Sequence, residues 1–386
     1  MRILTLGCGH IGSVIAQDVA TALPWAEVTI SDSQRDRAEA IASTIGADNI
    51  HAMALDVADR RALTAALADF DLAVGLTPGC AGYGAMAAAI HAGVDMVDLS
   101  YMPQNPLTLD EAAVQAGVCV VPDCGVAPGL SNFLVGQAVS LLDAVHDVYI
   151  LVGGLPQTPI PPLGYKVTWC VEDLVEEYVR EVSIVQDGRR VTVHALDGVE
   201  TVVFPGVGRL EAFYTDGVRT LHHTVPGVNN LWEKTLRYPG HVDQIKLLMS
   251  LGFFSAVPVT VGAETVVPRD LTAVLLEQRL SLPTVPDVVA MRIEVAGAQQ
   301  GEPTRHTYRL LDHYDAAAGV SAMARTTAYT ASIVIQLLVN GAITVKGVVP
   351  PERLGMAGGV FHAVMAELAK KGIHVTHEEH HDGVPA

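Results

Sequence analysis

Along the first third of the chain, short β-branched runs alternate with longer Ala-rich stretches whose apolar residues recur at helical spacing. "ILTL" gives way to "SVIAQDVATAL", "EVTISD" to "RDRAEAIASTI", "IHAMALDV" to "RRALTAALADF" and "DLAVGLT" to "GYGAMAAAIHAG". "DMVDLS" and "VCVVPD" complete the series. Strands alternating with helices build right-handed βαβ units. The pattern therefore predicts an α/β protein with a Rossmann-type, doubly wound parallel sheet.

After about Leu151 the period changes. "PQTPIPPLG" is a proline-rich loop, and "REVSIVQDGRRVTVHA" then alternates with period two around Asp187-Gly188, a favourable hairpin turn. "VVAMRIEVAGAQQGEPTRHTYRLLD" reads as a second hairpin with a longer loop. Hairpins build antiparallel sheet. We therefore expect a dinucleotide-binding domain over 1–130 and an α+β substrate and oligomerisation domain over 131–318. Helical spacing returns in "AMARTTAYTASIVIQLLVNG", which stops at Gly341, and in "GGVFHAVMAELAKKG". These C-terminal helices, within 319–386, are expected to return to the first domain and make it discontinuous. The tail "HVTHEEHHDGVPA" reads as a mobile, solvated end despite its four His.

Composition narrows the function classes. Half of the chain is hydrophobic and 17% is charged, which suits large cores and excludes disorder. Lys plus Arg number 24 against 42 Asp plus Glu, a formal charge of -18. Such a field repels phosphate backbones and anionic lipid, so neither nucleic acid nor a membrane surface is an expected partner. The five Cys are odd in number and form no Cys-x-x-Cys pair, which fits a reducing compartment. "MRILTLGCG" runs into a strand and glycine loop without a signal-peptide pattern, and no segment reads as an uninterrupted membrane span. A cytoplasmic protein is the expectation.

"ILTLGCGHIGSVIA" sets Gly7, Gly9 and Gly12 in the spacing G-x-G-x-x-G between a strand and a helix. Gly7 permits the tight turn, Gly9 the approach of a pyrophosphate, and Gly12 close packing of helix on strand. The phosphates would meet the helix N-terminus, at His10 and Ile11. Asp32 ends the second strand, where an acid binds the adenosine ribose and disfavours a 2′-phosphate. NAD is thus expected over NADP, although Arg35 and Arg37 stand close enough to hold such a phosphate. Asp56, after the third strand, is either an adenine contact or a solvated acid. Thr77 and Pro78 follow the fourth strand, where the nicotinamide ribose would lie or where an ordinary connection would run.

"VVPDCGVAPGLSN" makes a second strand-to-helix turn, and it carries an acid. Asp123 would lie on the nicotinamide side, where it could orient or deprotonate an amine. Its alternative role is to cap the turn. The adjacent Cys124 reads as a spectator thiol. Further along, Arg237 in "LRYPGH" could clamp a substrate carboxylate or serve a structural ion pair. His241 in the same motif could shuttle a proton or make a structural hydrogen bond. "GYKVTWCVEDLVEEY" offers Tyr165, Lys166 as a general base or a solvated cation, Trp169 as a cleft wall or an ordinary core residue, and Glu172 toward a substrate amine. Asp173, Glu176 and Glu177 read with Glu172 as a mostly wet helix face. His222-His223 is read as adjacent residues on a strand, which face opposite ways, so no metal is required.

The opening GCGHIG turn, "DLSYMP", "PDCGVAPGLSN", "LVGGLP", "LRYPGH" and "VKGVVPPERLG" together resemble the saccharopine dehydrogenase-type superfamily, in its order and over nearly the whole chain. Chain length and "YKVTWCVEDLVEEY" make the lysine 6-dehydrogenases the most similar branch. The resemblance implies a two-domain NAD(P)-dependent amine oxidoreductase that assembles as a dimer or larger homo-oligomer. The lysine 6-dehydrogenase branch implies hydride removal from the ε-carbon of L-lysine, release of ammonia, and cyclisation of the aldehyde to a piperideine carboxylate. A saccharopine-type or carboxynorspermidine-type dehydrogenase, and a non-catalytic NAD-binding sensor, stand as alternatives.

Overall fold

The Val-, Ile- and Leu-rich runs of the first third form parallel strands because the helices between them cover both faces of the sheet. The computed structural model describes residues 1–381. In it β1 (Arg2–Leu6), α1 (His10–Ala22), β2 (Glu27–Asp32), α2 (Arg35–Ile45) and β3 (Ile50–Ala54) form the first half. Then come α3 (Arg60–Leu67), β4 (Leu72–Gly75), α4 (Gly79–Ala92), β5 (Asp95–Asp98), α5 (Asp110–Ala116), β6 (Cys119–Val121) and α6 (Leu130–Leu141). Leu4 of β1 pairs with Thr29 of β2 on one side and Ala73 of β4 on the other. Strand order therefore reverses at β1, and the crevice outside β1 and β4 is the switch point where ligands of such sheets bind.

A mixed sheet forms the second unit. It begins with β7 (Ala144–Pro156), α7 (Val171–Val179), the hairpin β8 (Glu181–Gln186) and β9 (Arg189–His194), β10 (Glu200–Phe204) and β11 (Gly208–Tyr214). There follow α8 (Leu221–Thr224), β12 (Asn230–Arg237), α9 (His241–Ser250), β13 (Val259–Val261), β14 (Glu264–Val266) and α10 (Pro268–Leu280). The hairpin β15 (Asp287–Gln299) and β16 (Glu302–His313) lies beside β7. Asp187 and Gly188 turn the first hairpin at φ 50° and 72°. The second hairpin is tighter than expected: Gln300 and Gly301, at φ 53° and 83°, are its whole turn. The sheet is not purely antiparallel either, since β12 runs parallel to β7.

The chain then forms α11 (Ala322–Val339), β17 (Gly347–Val348), α12 (Pro351–Gly355), α13 (Gly358–Lys370) and β18 (Val375–His381). The first compact unit comprises Met1–Ser140 with Ala324–Ile373; the second comprises Leu141–Met323 with the described residues from His374 onward. β17 adds to β6 in parallel, giving the order β17-β6-β5-β4-β1-β2-β3. Phe361 of α13 stacks on Phe133 of α6 at 5.5 Å between ring centroids. At the other end, Lys371 pairs with Asp18 of α1 and lies 4.6 Å from the centre of the Tyr329 ring.

Two readings of this region are corrected. α11 does have the length and mean hydropathy of a membrane span, yet 72% of its apolar window is buried inside the fold, as in a core helix. The tail is not simply solvated: Val375–His381 is an edge strand on β16. His377 stacks on Tyr308 at 4.4 Å and meets His306, Nε2 to Nδ1, at 3.0 Å. The remaining five residues of that tail lie outside the described residues.

Candidate active site

The three loop glycines between β1 and α1 play different parts. Gly7 stands at φ +117°, and a Cβ on it would lie 2.8 Å from the Leu76 carbonyl oxygen. A Cβ on Gly12 would lie 2.9 Å from the Gly7 oxygen. Gly9 instead faces open space, with nothing within 4 Å of the position a Cβ would take. It is also the N-cap of α1, whose first turn has neither an acid nor a side-chain cap. Two glycines close the loop, and the third leaves room beside a helix N-terminus. That arrangement fits a pyrophosphate. His10 is exposed and Ile11 half-buried on this first turn.

Asp32 ends β2 beside the loop. Its Oδ1 accepts the Gln34 N–H at 3.0 Å, its Oδ2 accepts the Cys8 thiol at 3.1 Å, and Arg37 Nη1 lies 3.9 Å away. Burial alone would raise this carboxyl, but the Gln34 N–H, the thiol and Arg37 together hold it below the usual range. Burial first, and then Asp32, push the Cys8 thiol up to about 12, so Cys8 is a neutral donor. Arg35 is turned to Glu39, at 2.7 Å on the exposed side of α2. The arginine beside Asp32 is therefore Arg37. Asp56 is exposed, and its Oδ1 caps the Ala58 N–H at 2.9 Å.

At the carboxyl ends of β4 and β5 stands a carboxylate that inspection of the sequence passed over. Asp98 has no exposed surface. Its Oδ1 accepts the Ser100 N–H at 2.9 Å and its Oδ2 accepts the Ser100 hydroxyl at 3.1 Å. Ser100 Oγ in turn meets Thr77 Oγ1 at 3.0 Å. Gly75 admits the acid, since a Cβ there would sit 1.9 Å from Asp98 Oδ2. The available signal was an acid-x-Ser in "DLS" at the end of a parallel strand. Pro78, next to Thr77, is exposed at the N-cap of α4.

The second turn is fastened to this site by the Cys124 N–H, which donates to the Asp98 carbonyl at 2.8 Å. Asp123 is 2% exposed and sits at φ +51°, a left-handed conformation that costs an L residue on the order of 1 kcal/mol. The loop closes on itself, since the Gly125 N–H donates to Pro128 O at 3.2 Å. The Leu130 and Ser131 N–H groups donate to Gly125 and Val126 O, each at 2.9 Å. Those bonds occupy the first amides of α6. Unlike the first glycine turn, this one offers its helix N-terminus to no anion; it positions Asp123. Burial pushes the Cys124 thiol strongly up, so it stays protonated.

Four of the candidates from the second unit, Tyr165, Lys166, Arg237 and His241, are buried within it. The Arg237 guanidinium is 3% exposed, lies 4.4 Å from the centre of the Tyr165 ring, and pairs with Glu177 at 3.1 Å. Nη2 makes that pair, Nη1 donates to the Leu236 carbonyl at 3.0 Å, and Nε is buried without a hydrogen-bond partner. Glu177 and Asp173 are buried, which corrects their reading as a wet face. Glu172 is exposed and accepts the Cys170 thiol at 3.2 Å, while Trp169 is half-buried against the core around Tyr165. His241 is not a group that titrates near neutrality. Burial and then Arg237 push it down to about 3. Its Nδ1 can only donate to the Leu163 carbonyl, at 2.9 Å, so the neutral ring accepts the Tyr178 hydroxyl on Nε2 at 2.9 Å. Lys166 donates to the Val285 carbonyl at 2.7 Å, and burial lowers its pKa against the pull of Asp287. His222-His223 lies on α8 and not on a strand.

Glu233 extends this network. Thr215 donates to its Oε1 at 3.3 Å, and its Oε2 is buried without a hydrogen-bond partner. Burial, then the neighbouring Glu177, push it up to about 8.

A parallel sheet with this glycine loop defines a dinucleotide-binding α/β protein carrying a second, mixed-sheet unit. The chain belongs to the saccharopine dehydrogenase family. The saccharopine dehydrogenase NADP binding domain matches residues 3–121, and the saccharopine dehydrogenase C-terminal domain matches residues 125–373. Among curated relatives, the saccharopine dehydrogenase [NADP(+), L-glutamate-forming] of Schizosaccharomyces pombe is 28% identical over 58% of this chain and 52% of its own length. The Saccharomyces cerevisiae protein of that name is 28% identical over 65% of this chain and 58% of its own. The mitochondrial alpha-aminoadipic semialdehyde synthase of Bos taurus is 24% identical over 66% of this chain and 28% of its own. The matched region thus spans little more than half of the two yeast proteins. In fold, the chain matches the apo saccharopine dehydrogenase (L-Glu forming) of Saccharomyces cerevisiae with a TM-score of 0.78, at 21% identity over 98% of this chain and 99% of that one.

Gly9→Ala should cost no more than about 1 kcal/mol of stability, as an N-cap change does, and weaken dinucleotide binding at least about tenfold in a titration. Gly12→Ala should destabilise the fold by about 1–3 kcal/mol, because its Cβ meets backbone. Equal effects of the two on stability would contradict this division of labour. The pH dependence of Glu233 has a definite sign. Between its ordinary pKa of 4.5 and its folded value of about 8, the unfolded chain releases the proton and the folded chain keeps it. Its contribution is complete below that window and falls as pH rises through it. The melting temperature of Glu233→Gln relative to the parent should therefore climb from pH 5 to 8 and then level off; a constant difference would refute the assignment.

Proposed function

We propose that this chain is a nicotinamide-dinucleotide-dependent oxidoreductase acting on the C–N bond of a lysine-related amine, with L-lysine as substrate and its ε-carbon as the hydride source. The observation that carries the reading is the pairing of a phosphate-accepting glycine turn with a second turn that holds a buried acid over the same strand ends. Gly7, Gly9, Gly12 and the first turn of α1 would hold the pyrophosphate, Asp32 the adenosine ribose, and Thr77 the nicotinamide ribose. When bound, the nicotinamide supplies the hydride acceptor. Asp123 would orient the amine and take up its proton.

Support for a small substrate comes from the two basic candidates read from the sequence, Arg237 and Lys166. A secondary amine joining two amino acids carries additional carboxylates and requires additional cations. Arg237 is paired with Glu177, and Lys166 is bonded to a carbonyl. The names of the relatives favour a second reading, in which saccharopine is oxidised and glutamate leaves in place of ammonia. Both readings break a C–N bond and differ in the departing amine.

The ionised Asp32 disfavours a 2′-phosphate and supports NAD. The family's NADP binding domain, and Arg37 at 3.9 Å from Asp32, support NADP. A reducing, cytoplasmic setting is supported by five free cysteines. A homo-oligomer of two or more chains completes the proposal.

Absorbance at 340 nm should rise with L-lysine and NAD and release ammonia, with little turnover of saccharopine, ornithine or polyamines. Asp123→Asn should lower kcat at least about a hundredfold, as loss of a general base does, with unchanged melting. Turnover of saccharopine alone would replace the substrate; tight dinucleotide binding without turnover of any amine would make the chain a sensor.

A further inference from the structure

The contacts among Asp98, Ser100 and Thr77 fix the direction of every hydroxyl proton between them. Asp98 accepts twice from Ser100: the N–H at 2.9 Å and the Oγ–H at 3.1 Å. Ser100 Oγ has one proton and gives it to Asp98. At the 3.0 Å contact between the hydroxyls, Ser100 must therefore accept and Thr77 must donate. Thr77 has then spent its only proton inward and keeps only lone pairs for a ligand. It is 6% exposed, follows β4, and stands at the switch point of the sheet.

We propose that Asp98 and Ser100 are positioning residues that lock the Thr77 hydroxyl as an acceptor, so that Thr77 selects a hydrogen-bond donor on the nicotinamide riboside half of the dinucleotide. This rests on the dinucleotide reading of the site. A threonine hydroxyl free to rotate donates or accepts with similar ease. One committed inward accepts from a ribose hydroxyl or a carboxamide N–H without reorienting, and it discriminates against a ligand acceptor at that place. The close approach that Gly75 permits belongs to the same device, since any larger residue there would displace the Asp98 carboxylate.

Equilibrium titrations of Thr77→Val, Ser100→Ala and the double variant, with the dinucleotide and with ADP or its 2′-phosphate, test the proposal. Thr77→Val should weaken dinucleotide binding about tenfold, Ser100→Ala should weaken it by less because the freed hydroxyl can still turn to accept, and both should leave the adenine-nucleotide affinity unchanged. The double variant should be no weaker than Thr77→Val alone, because Ser100 acts through Thr77. Thr77→Ser should bind within about twofold of the parent, since it keeps the hydroxyl. A 3-acetylpyridine dinucleotide lacks the amide N–H: a Thr77→Val penalty kept with it assigns the ribose hydroxyl as donor, and a penalty lost assigns the carboxamide. Additive penalties, or ADP binding that falls in parallel, would overturn the relay while the dinucleotide reading stands. Failure of the parent protein to bind either dinucleotide would overturn that reading and the relay with it.

Discussion

In a sheet whose strands all run parallel, every strand ends on the same side, and the first unit of this protein is organised by that constraint. Whatever β1, β2, β4, β5 and β6 deliver at their last residue arrives along one edge of the sheet. The glycine loop, Asp32, Thr77, Asp98 and the turn with Asp123 each lie at or just beyond the end of a different strand. They share an edge because the strands share a direction, although more than a hundred residues of chain separate the first from the last. Asp98 binds this edge together: its side chain holds the segment after β5, which reaches to Thr77 after β4, and its carbonyl holds the turn after β6.

Within that frame, two superficially similar turns have opposite electrostatic outcomes. Both pass from a strand through glycines into a helix. In the first, Gly9 leaves a gap and the helix has no side-chain cap, so its positive end is exposed to a ligand. In the second, carbonyls of the loop accept the leading amides of α6, and that end is quenched from within. What the second turn offers instead is a buried carboxyl side chain on a left-handed backbone. A nucleotide and a cationic amine need just these two different surfaces.

The fold was largely legible where physics is local. β-branched runs, Ala-rich helices and the Asp187-Gly188 turn each carry their conformation in a few residues. Legibility failed where a distant partner decides. Glu177 looks solvent-facing on α7 until Arg237, sixty residues on in β12, is seen against it. The polar strand Val375–His381 has no apolar alternation to announce it; backbone pairing with β16 makes it a strand. Gln300 carries no turn signature, yet the long pairing of β15 with β16 drives it to positive φ. His241 was read by its ordinary pKa, and the surrounding core of Tyr165, Tyr178 and Arg237 removes that property. Asp98 was visible as a letter but not as a site, because its meaning lies in Gly75 at the end of the neighbouring strand and Thr77 just after it.

The central claim is that the first glycine turn receives the phosphates while the second holds Asp123 beside the nicotinamide. A crystal structure of the full chain grown with NAD or NADP tests it most directly. The account predicts the pyrophosphate against Gly9 and the first turn of α1, with the nicotinamide riboside beside Thr77. A pyrophosphate seated on the N-terminus of α6, or a dinucleotide bound away from the carboxyl edge of the parallel sheet, would contradict it.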